Sequence, residues 1–290
     1  MKSNKFIFLT ICYIFISFSC STDDSTTSLE VNPLDPNLYY EALNVSYGSD
    51  NKQTFDIYLP ANRTSDTKIM ILVHGGGWSA GDKSEMNDIK NLMRQDFPNI
   101  GIVNMNYTLA DENNNPYPMQ INDMTTVIDH LKTNEDNYVI DDKFGFIGVS
   151  AGAHLSLLWS YAFDIDADVK MVCSIVGPTN FTDPAYLNNT NEALQELLDL
   201  YGVDATTSFL EEVSPYHRVT SSAAPTILFY GGQDPLIPTT QGTDLRDKLV
   251  DLNVTHQFTL YPNAGHGWVG LDLLDTWLKL KTFTQTHLED

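Results

Sequence analysis

The sequence predicts an α/β fold with a mostly parallel central sheet and helices on both faces. Short apolar runs of strand length alternate along the chain with segments of helical periodicity, which is the order of successive strand–helix–strand units. Glycine-rich or polar loops follow several of these runs, as expected where parallel strands end at one edge of a sheet. The 290 residues are enough for one such domain.

The strands are predicted first from alternation and then from continuous apolar character. Residues 43–48 and 54–59 alternate apolar and polar side chains around a polar turn, which predicts an opening hairpin. Continuous apolar runs predict the buried strands that follow, and the alternating segment 255–261 predicts the last strand. These later strands are expected at 68–73, 100–105, 144–149, 169–176, 224–230 and 255–261.

The helices are predicted from apolar residues three or four positions apart. The clearest is 120–132, and others are expected at 85–95, 153–162 and 270–287. Residues 183–222 interrupt the strand–helix alternation, with helical patterns at 183–201 and 208–213. This insertion predicts either a small helical cap beside the site or a plain crossover helix.

A serine lies at the sharpest predicted turn of the chain. The segment Gly148-Val149-Ser150-Ala151-Gly152 joins the strand 144–149 to the following helix. The small residues on either side let the backbone turn tightly, which exposes the hydroxyl of Ser150 as a nucleophile. Such a hydroxyl reacts only when a base is paired with it.

Three further loops supply what a serine nucleophile needs. The strand 68–73 runs into His74-Gly75-Gly76-Gly77-Trp78, where N–H groups unshielded by side chains can bind an oxyanion together with the N–H of Ala151. Asp234 follows the strand 224–230 as a fixed carboxylate. His266, between two glycines after the strand 255–261, is the predicted base. His154, in contrast, is expected to support packing.

With these motifs in this order, the sequence resembles the α/β-hydrolases of the serine esterase group. More narrowly, it is similar to the hormone-sensitive-lipase-type esterases and the related feruloyl and acetylxylan esterases. The resemblance covers residues 40–288, and Ala153 departs from it where a second glycine is frequent. It is carried by four segments, which are 74–78, 148–152, 234–235 and 265–267.

The resemblance implies an α/β-hydrolase fold and a carboxylesterase-type serine hydrolase without metal or cofactor. It implies catalytic Ser150, Asp234 and His266, and it favours Gly76 and Gly77 as the oxyanion donors of the glycine run, with Gly75 and Trp78 left open. The expected substrates are short-chain or carbohydrate-linked esters, such as acetyl or feruloyl esters of a polysaccharide. A peptidase or amidase on the same fold and a non-catalytic surface binding lipoprotein are the alternatives.

Two tryptophans flank the predicted site, Trp78 after the glycine run and Trp268 after the predicted base. Either ring could stack on an aromatic acyl group or a sugar, and core packing or a lid contact is an equal alternative.

Charge and cysteine content exclude other classes of function. The formal net charge of −22 disfavours nucleic-acid binding, because phosphate contacts need lysine and arginine. Three cysteines, of which Cys173 lies in an apolar strand, give neither a disulfide framework nor zinc-ligand spacing. Cys173 is predicted to be a small core residue, and the oligomeric state is left open.

The N-terminus reads as a targeting segment. Lys2 and Lys5 precede an apolar run that is too short to span a membrane comfortably, and the run ends just before Cys20. This pattern resembles a bacterial lipoprotein signal, so we expect a signal peptide over 1–19, lipidation at Cys20, a flexible tether over 20–40 and a catalytic domain over 41–290. The protein is then exported and lipid-anchored in the cell envelope, at the outer membrane, with exposure on the cell surface left open. An ordinary secretory signal, giving a secreted or periplasmic protein, is the alternative.

Overall fold

Residues 33–200 and 206–289 are described by the structure, a computed structural model, and they are organised around one eight-stranded sheet. The expected signal peptide, Cys20 and most of the expected tether lie outside the described residues. The strands are β1 (Tyr40–Ser46), β2 (Thr54–Leu59), β3 (Ile69–Val73), β4 (Gly101–Met105), β5 (Phe144–Val149), β6 (Val169–Ile175), β7 (Thr226–Gly231) and β8 (His256–Tyr261).

The strand order is β1-β2-β4-β3-β5-β6-β7-β8. β2 pairs antiparallel with both β1 and β4, and every pairing from β4 onwards is parallel. β3, β5, β7 and β8 therefore end at the same edge of the sheet. The loops predicted to carry the site all leave from this edge, where open α/β sheets bind their ligands.

Helices connect the parallel strands and follow the last of them. They are α1 (Asn87–Asp96), α2 (Pro116–Thr133), α3 (Glu135–Tyr138), α4 (Ala151–Ala162), α5 (Pro184–Leu187), α6 (Glu192–Asp199), α7 (Thr207–Glu212), α8 (Pro215–Arg218), α9 (Thr239–Asp251) and α10 (Leu271–Thr284), with a 3₁₀ turn at Lys83–Met86 and a π-helical turn at Gln285–Glu289. None of the helices in the described ranges combines the length and apolar character that a membrane crossing requires.

Alternate side chains of the central strands enter two separate apolar cores, one on each face of the sheet. In β3, Ile69, Ile71 and Val73 belong to one core and Met70 and Leu72 to the other. Helices α2, α4 and α9 pack into the first core, whereas α1 and α10 pack into the second. The predicted α/β-hydrolase architecture, with helices on both faces, is confirmed.

Three features differ from the prediction, and the first is that α9 (Thr239–Asp251), between β7 and β8, was not predicted at all. The helix expected over 183–201 is divided, because α5 ends before Asn188 and Asn191 caps the start of α6 by accepting from the Leu194 N–H. The opening hairpin begins earlier than expected, since Tyr40 already pairs with Leu59. Residues 183–222, as far as the structure describes them, hold the short helices α5 to α8 between β6 and β7.

Candidate active site

Ser150 sits on a tight turn between β5 and α4. Its φ of 52° is in the left-handed region, which a non-glycine residue adopts only when its surroundings hold it there. The Ser150 N–H donates to the Ile175 carbonyl at 2.8 Å, which fixes the turn against β6. A Cβ on Gly152 would lie 2.2 Å from the Val73 carbonyl oxygen. Glycine at this position therefore lets α4 start directly against the end of β3.

Asp234 is held by the turn that follows β7. One carboxylate oxygen accepts from the N–H groups of Leu236 and Ile237 at 2.8 and 3.0 Å, and the other faces His266 Nδ1 at 2.7 Å. The side chain has no exposed surface. Each oxygen is thus satisfied by a donor, and the carboxylate has a fixed orientation.

His266 links the carboxylate to the serine. Its Nε2 lies 2.9 Å from Ser150 Oγ, and its Nδ1 faces Asp234. In the tautomer with the proton on Nδ1, the ring donates to Asp234 and accepts from the serine hydroxyl. This is the arrangement in which an imidazole removes a proton from a nucleophile. Ser150 lies 116 positions before His266 in the sequence and Asp234 lies 32 positions before it, and the structure brings these three predicted residues together.

The glycine run forms a turn that only glycine can make at its second position. Gly76 has φ of +105°, and a Cβ there would lie 2.1 Å from the Ala80 carbonyl oxygen. The Ala80 N–H donates to the Gly76 carbonyl at 2.9 Å, which closes the turn. Tyr107 stabilises the start of the run, because its hydroxyl donates to the carbonyls of His74 and Gly75 at 3.1 and 3.0 Å.

These elements surround one cleft of about 380 Å³. Gly76 and Gly77 line it together with Ser150, and Ala151 begins α4, so its N–H has no partner within the helix. Gly76 and Gly77 therefore border the cleft beside Ser150, and Ala151 directly follows the serine at the start of α4. The remaining wall of the cleft is made by Gly75, Glu85, Met86, Ile89, Val149, Leu236 and His266.

Four of these wall residues, Glu85, Met86, Ile89 and Leu236, were missed by the sequence analysis. Leu236 follows Asp234 by two residues, so proximity to a motif was a signal for it. Glu85, Met86 and Ile89 lie eight to twelve residues after Gly77, and no motif marks them. The Leu236 N–H binds Asp234 while the same residue lines the cleft. One turn therefore fixes the acid and shapes the pocket.

Trp78 does not line the cleft, and of the two alternatives left open for its ring the structure shows core packing and gives no support for a substrate contact. Its side chain is 1% exposed, and its indole N–H donates to His154 Nδ1 at 3.1 Å. Trp268 is also outside the wall of this cleft; it packs on Tyr261 with ring centroids 4.8 Å apart and donates to Thr276 Oγ1. A substrate contact by Trp268 has no support from this geometry.

His154 and Cys173 have the structural surroundings that were predicted. His154 is fully buried, accepts from Trp78 at Nδ1 and donates from Nε2 to the Val213 carbonyl at 2.8 Å, and burial lowers its pKa to about 4. It is thus a neutral imidazole under ordinary conditions. Cys173 is completely buried in β6, and burial raises the pKa of its thiol, so it is not a nucleophile.

Curated relatives of the chain are esterases. Over 253 residues it is 26% identical to Esterase LipC of Mycobacterium tuberculosis, an alignment that covers 82% of this chain and 61% of LipC. Over 252 residues it is 24% identical to Carboxylesterase NlhH of the same species, covering 82% of this chain and 78% of NlhH. The chain thus spans about three fifths of the length of LipC.

A solved structure shows the fold of the chain, and a family model shows its family. A truncated form of a carbohydrate esterase from gut microbiota superposes with a TM-score of 0.69 at 21% identity, covering 87% of this chain and 99% of that one, which establishes a shared fold. The model of the BD-FAE family matches residues 55–249, well over half of the chain and including Ser150 and Asp234. The chain therefore belongs to the BD-FAE family and has the α/β-hydrolase fold.

Proposed function

We propose that this protein is a serine carboxylic ester hydrolase that acts through an acyl-enzyme. The observation that carries the proposal is the hydrogen-bonded series Ser150–His266–Asp234, with 2.9 and 2.7 Å between successive side chains. Ser150 and His266 line the same cleft as the glycine run. The esterase names of the curated relatives point to the same reaction.

In the proposed reaction Ser150 Oγ attacks the ester carbonyl carbon while His266 Nε2 takes the hydroxyl proton. The negative oxygen that develops is stabilised by amides of Gly76, Gly77 and Ala151. The bond to the alcohol oxygen then breaks, and His266 delivers the proton to the departing alcohol. Asp234 keeps the ring oriented and stabilises its positive charge during both transfers.

Water completes the cycle in the second half of the reaction. His266 takes a proton from a water molecule, whose oxygen attacks the acyl carbon, and the proton then returns to Ser150 Oγ as the acid departs. Every proton transfer uses the same imidazole nitrogen. The chain supplies all the groups that this sequence of steps requires.

Short-chain or carbohydrate-linked esters are the proposed substrates. A cleft of about 380 Å³ suits a small acyl group, and apolar side chains of Met86, Ile89 and Leu236 form part of its wall. One structural neighbour is described as a carbohydrate esterase, and another as an acetyl ester-xyloside bifunctional hydrolase from Caldicellulosiruptor lactoaceticus. An acetylated polysaccharide is consistent with both observations.

Replacement of the serine tests the mechanism. We expect Ser150→Ala to reduce turnover of 4-nitrophenyl acetate by about 10⁴-fold or more, because the nucleophile is lost, while the melting temperature stays close to that of wild type. Ser84→Ala, at an exposed serine outside the cleft wall, is the control and should retain full activity.

The same preparation separates the competing functions. A fluorophosphonate probe should label the wild type at Ser150, and an ester should be hydrolysed much faster than the matching amide. Comparable rates on the amide would identify a peptidase or amidase. Absence of both labelling and hydrolysis would identify a binding protein and refute the proposal.

We further propose that the protein is exported and anchored in the cell envelope by a lipid on Cys20. The basic start, the short apolar run and the cysteine after small residues support this proposal. Anchoring would hold the enzyme outside the inner membrane, where polysaccharide esters are accessible.

A further inference from the structure

Glu85 is the charged side chain in the cleft wall that the proposed reaction does not use. Among the described residues that line the cleft, it is the one acid, and no lysine or arginine joins it. The other carboxylate of the site, Asp234, is fully buried and occupied by His266 and two amides. The accessible charge of the cleft is therefore negative.

The backbone of Glu85 is firmly held although its side chain is exposed. Lys83 and Met86, on either side, are 7% and 2% exposed. The Lys83 N–H donates to Asn106 Oδ1 at 2.6 Å, and the Lys83 carbonyl accepts from Asn104 Nδ2 at 2.7 Å. Glu85 thus lines the cleft from a short 3₁₀ turn whose first and last residues, Lys83 and Met86, are buried in the protein.

Nearby cations are already engaged elsewhere. Lys83 Nζ lies 3.2 Å from Asp56 and 2.6 Å from Asn44, and Lys90 donates to Asn87 at 2.9 Å. Within residues 33–200 and 206–289, the Glu85 carboxylate has neither an ion pair nor a hydrogen bond. Its oxygens are acceptors available to whatever occupies the cleft.

From this arrangement we infer that Glu85 is a specificity-determining residue for the proposed esterase reaction. It accepts hydrogen bonds from hydroxyl groups in the part of the substrate that does not react, and it repels esters that carry a carboxylate. The inference rests on the proposed function and names its substrate class as neutral, hydroxyl-bearing esters such as monoacetylated sugars. A carboxylate acceptor makes stronger hydrogen bonds than a neutral one, and an uncompensated negative charge disfavours anions.

Matched substrate pairs test the two parts of the inference. The first pair is a monoacetylated methyl xyloside and the same compound with its free hydroxyls O-methylated. The second pair is 4-acetoxybenzamide and 4-acetoxybenzoate, which differ in charge. The ratio of kcat/KM within each pair is compared between variants, so that the intrinsic reactivity of each ester cancels.

Wild type should prefer the hydroxyl-bearing xyloside and the neutral benzamide. We expect Glu85→Leu to reduce the first preference by about three- to tenfold, because the acceptor is lost, and Glu85→Gln to reduce the second by about threefold. The charge effect should weaken as salt rises from 20 to 200 mM, since ions screen an exposed carboxylate. Asp88→Asn, an exposed acid of α1 outside the cleft wall, should leave both ratios unchanged.

Unchanged ratios in both Glu85 variants would overturn the inference. A third pair, acetylcholine and the neutral 3,3-dimethylbutyl acetate, tests whether Glu85 binds cations instead. If Glu85→Gln abolishes a preference for acetylcholine and leaves the xyloside ratio unchanged, the inference that Glu85 binds substrate hydroxyls is overturned. Hydrolysis of 4-nitrophenyl acetate, which offers neither hydroxyl nor negative charge, is measured in every variant. If wild type does not hydrolyse 4-nitrophenyl acetate, the proposed esterase function is refuted. Failure of the proposed function is thus distinguishable from failure of the inference about Glu85.

Discussion

At the scale of single residues, the site combines side chains that the sequence identifies with others that it does not. Ser150, Asp234 and His266 each stand in a short motif after a strand, so local patterns name them. Trp78 stands in such a motif as well, yet its side chain enters the core. Its backbone has φ of 62°, and a sequence does not reveal such a conformation or the direction of a side chain. Glu85 belongs to no motif, and only the folded chain brings it to the cleft.

His154 shows how a residue next to the nucleophile serves the fold. Its Nδ1 accepts from Trp78 at the end of the glycine run, and its Nε2 donates to the Val213 carbonyl at the end of α7. The ring therefore joins these two segments. Its aromatic neighbour Phe181 lies 5.1 Å away in an edge-on arrangement. A protonated ring could not accept from Trp78, and burial opposes the charge. This site therefore holds a neutral imidazole.

The buried imidazole predicts a pH-dependent stability. Because burial lowers the pKa of His154 from 6.5 to about 4, the unfolded state takes up the proton first as the pH falls. The stability contributed by the neutral His154 ring is fully present above pH 6.5 and is lost as the pH falls to 4. This loss amounts to about 3 kcal/mol in the free energy of unfolding.

Urea unfolding at several pH values between 7 and 4 measures this effect. His154→Gln, which retains an acceptor and a donor, should show a shallower loss of stability than wild type over that interval. Other histidines with lowered pKa values, such as His74, are present in both proteins and cancel in the comparison. His256→Gln is the control. Parallel curves for His154→Gln and wild type would contradict the assignment.

At the scale of secondary structure elements, α9 is tied to the segment that follows β6 by one buried side chain. Gln241 Oε1 accepts from the N–H groups of Thr179 and Asn180, both at 2.8 Å. Its Nε2 donates to the Asn180 carbonyl at 3.0 Å and to Asp183 Oδ2 at 2.9 Å. The start of the 183–222 insertion is therefore fixed to the main domain by hydrogen bonds rather than by apolar contact alone.

Replacing this glutamine by an apolar residue should be costly. Gln241→Leu removes the acceptor of two buried amides, so we expect a loss of about 2–4 kcal/mol in the free energy of unfolding. Gln257→Leu, at an exposed position of β8, provides the matched control and should change stability little. A loss below about 1 kcal/mol for Gln241→Leu would show that water or a rearrangement satisfies the amides.

The elements themselves were predictable where the pattern is long and regular. Apolar periodicity located α2 and the buried strands, because burial on one or both faces imposes that pattern directly. The division between α5 and α6 was missed, since asparagine caps act through a few backbone hydrogen bonds that leave little trace in periodicity. Pairing of β1 from Tyr40 was missed for a similar reason, because edge strands need little apolar character.

At the scale of the whole molecule, alternation of strands and helices predicted the fold class but not the strand order. Nothing in the local sequence says that β2 pairs antiparallel with β4 while β3 lies between β4 and β5. That order decides which loops meet at one edge, and so it decides that three distant motifs form one cleft. The resemblance of the motifs to a known family implied that they act together at one site, but the strand order itself was not predicted.

At the same scale, the targeting segment that we propose lies outside the described residues. If Cys20 is lipidated, the mature protein should be recovered with membranes and should incorporate a palmitate analogue when the full chain is expressed in a Gram-negative host. Cys20→Ser should lose the label, and protein from which residues 1–19 have been removed should be released into the soluble fraction, because the proposed lipid anchor is absent. Cys12→Ser, in the apolar run, is the matched control and should be labelled normally.

Two outcomes would contradict the anchor. Label retained by Cys20→Ser would place the lipid elsewhere, and a wild-type protein that is processed but unlabelled would indicate an ordinary secretory signal. Esterase activity should be equal in the anchored and released forms, since the cleft is built entirely from residues 75–266. The anchor would then act on the location of the enzyme and leave its chemistry unchanged.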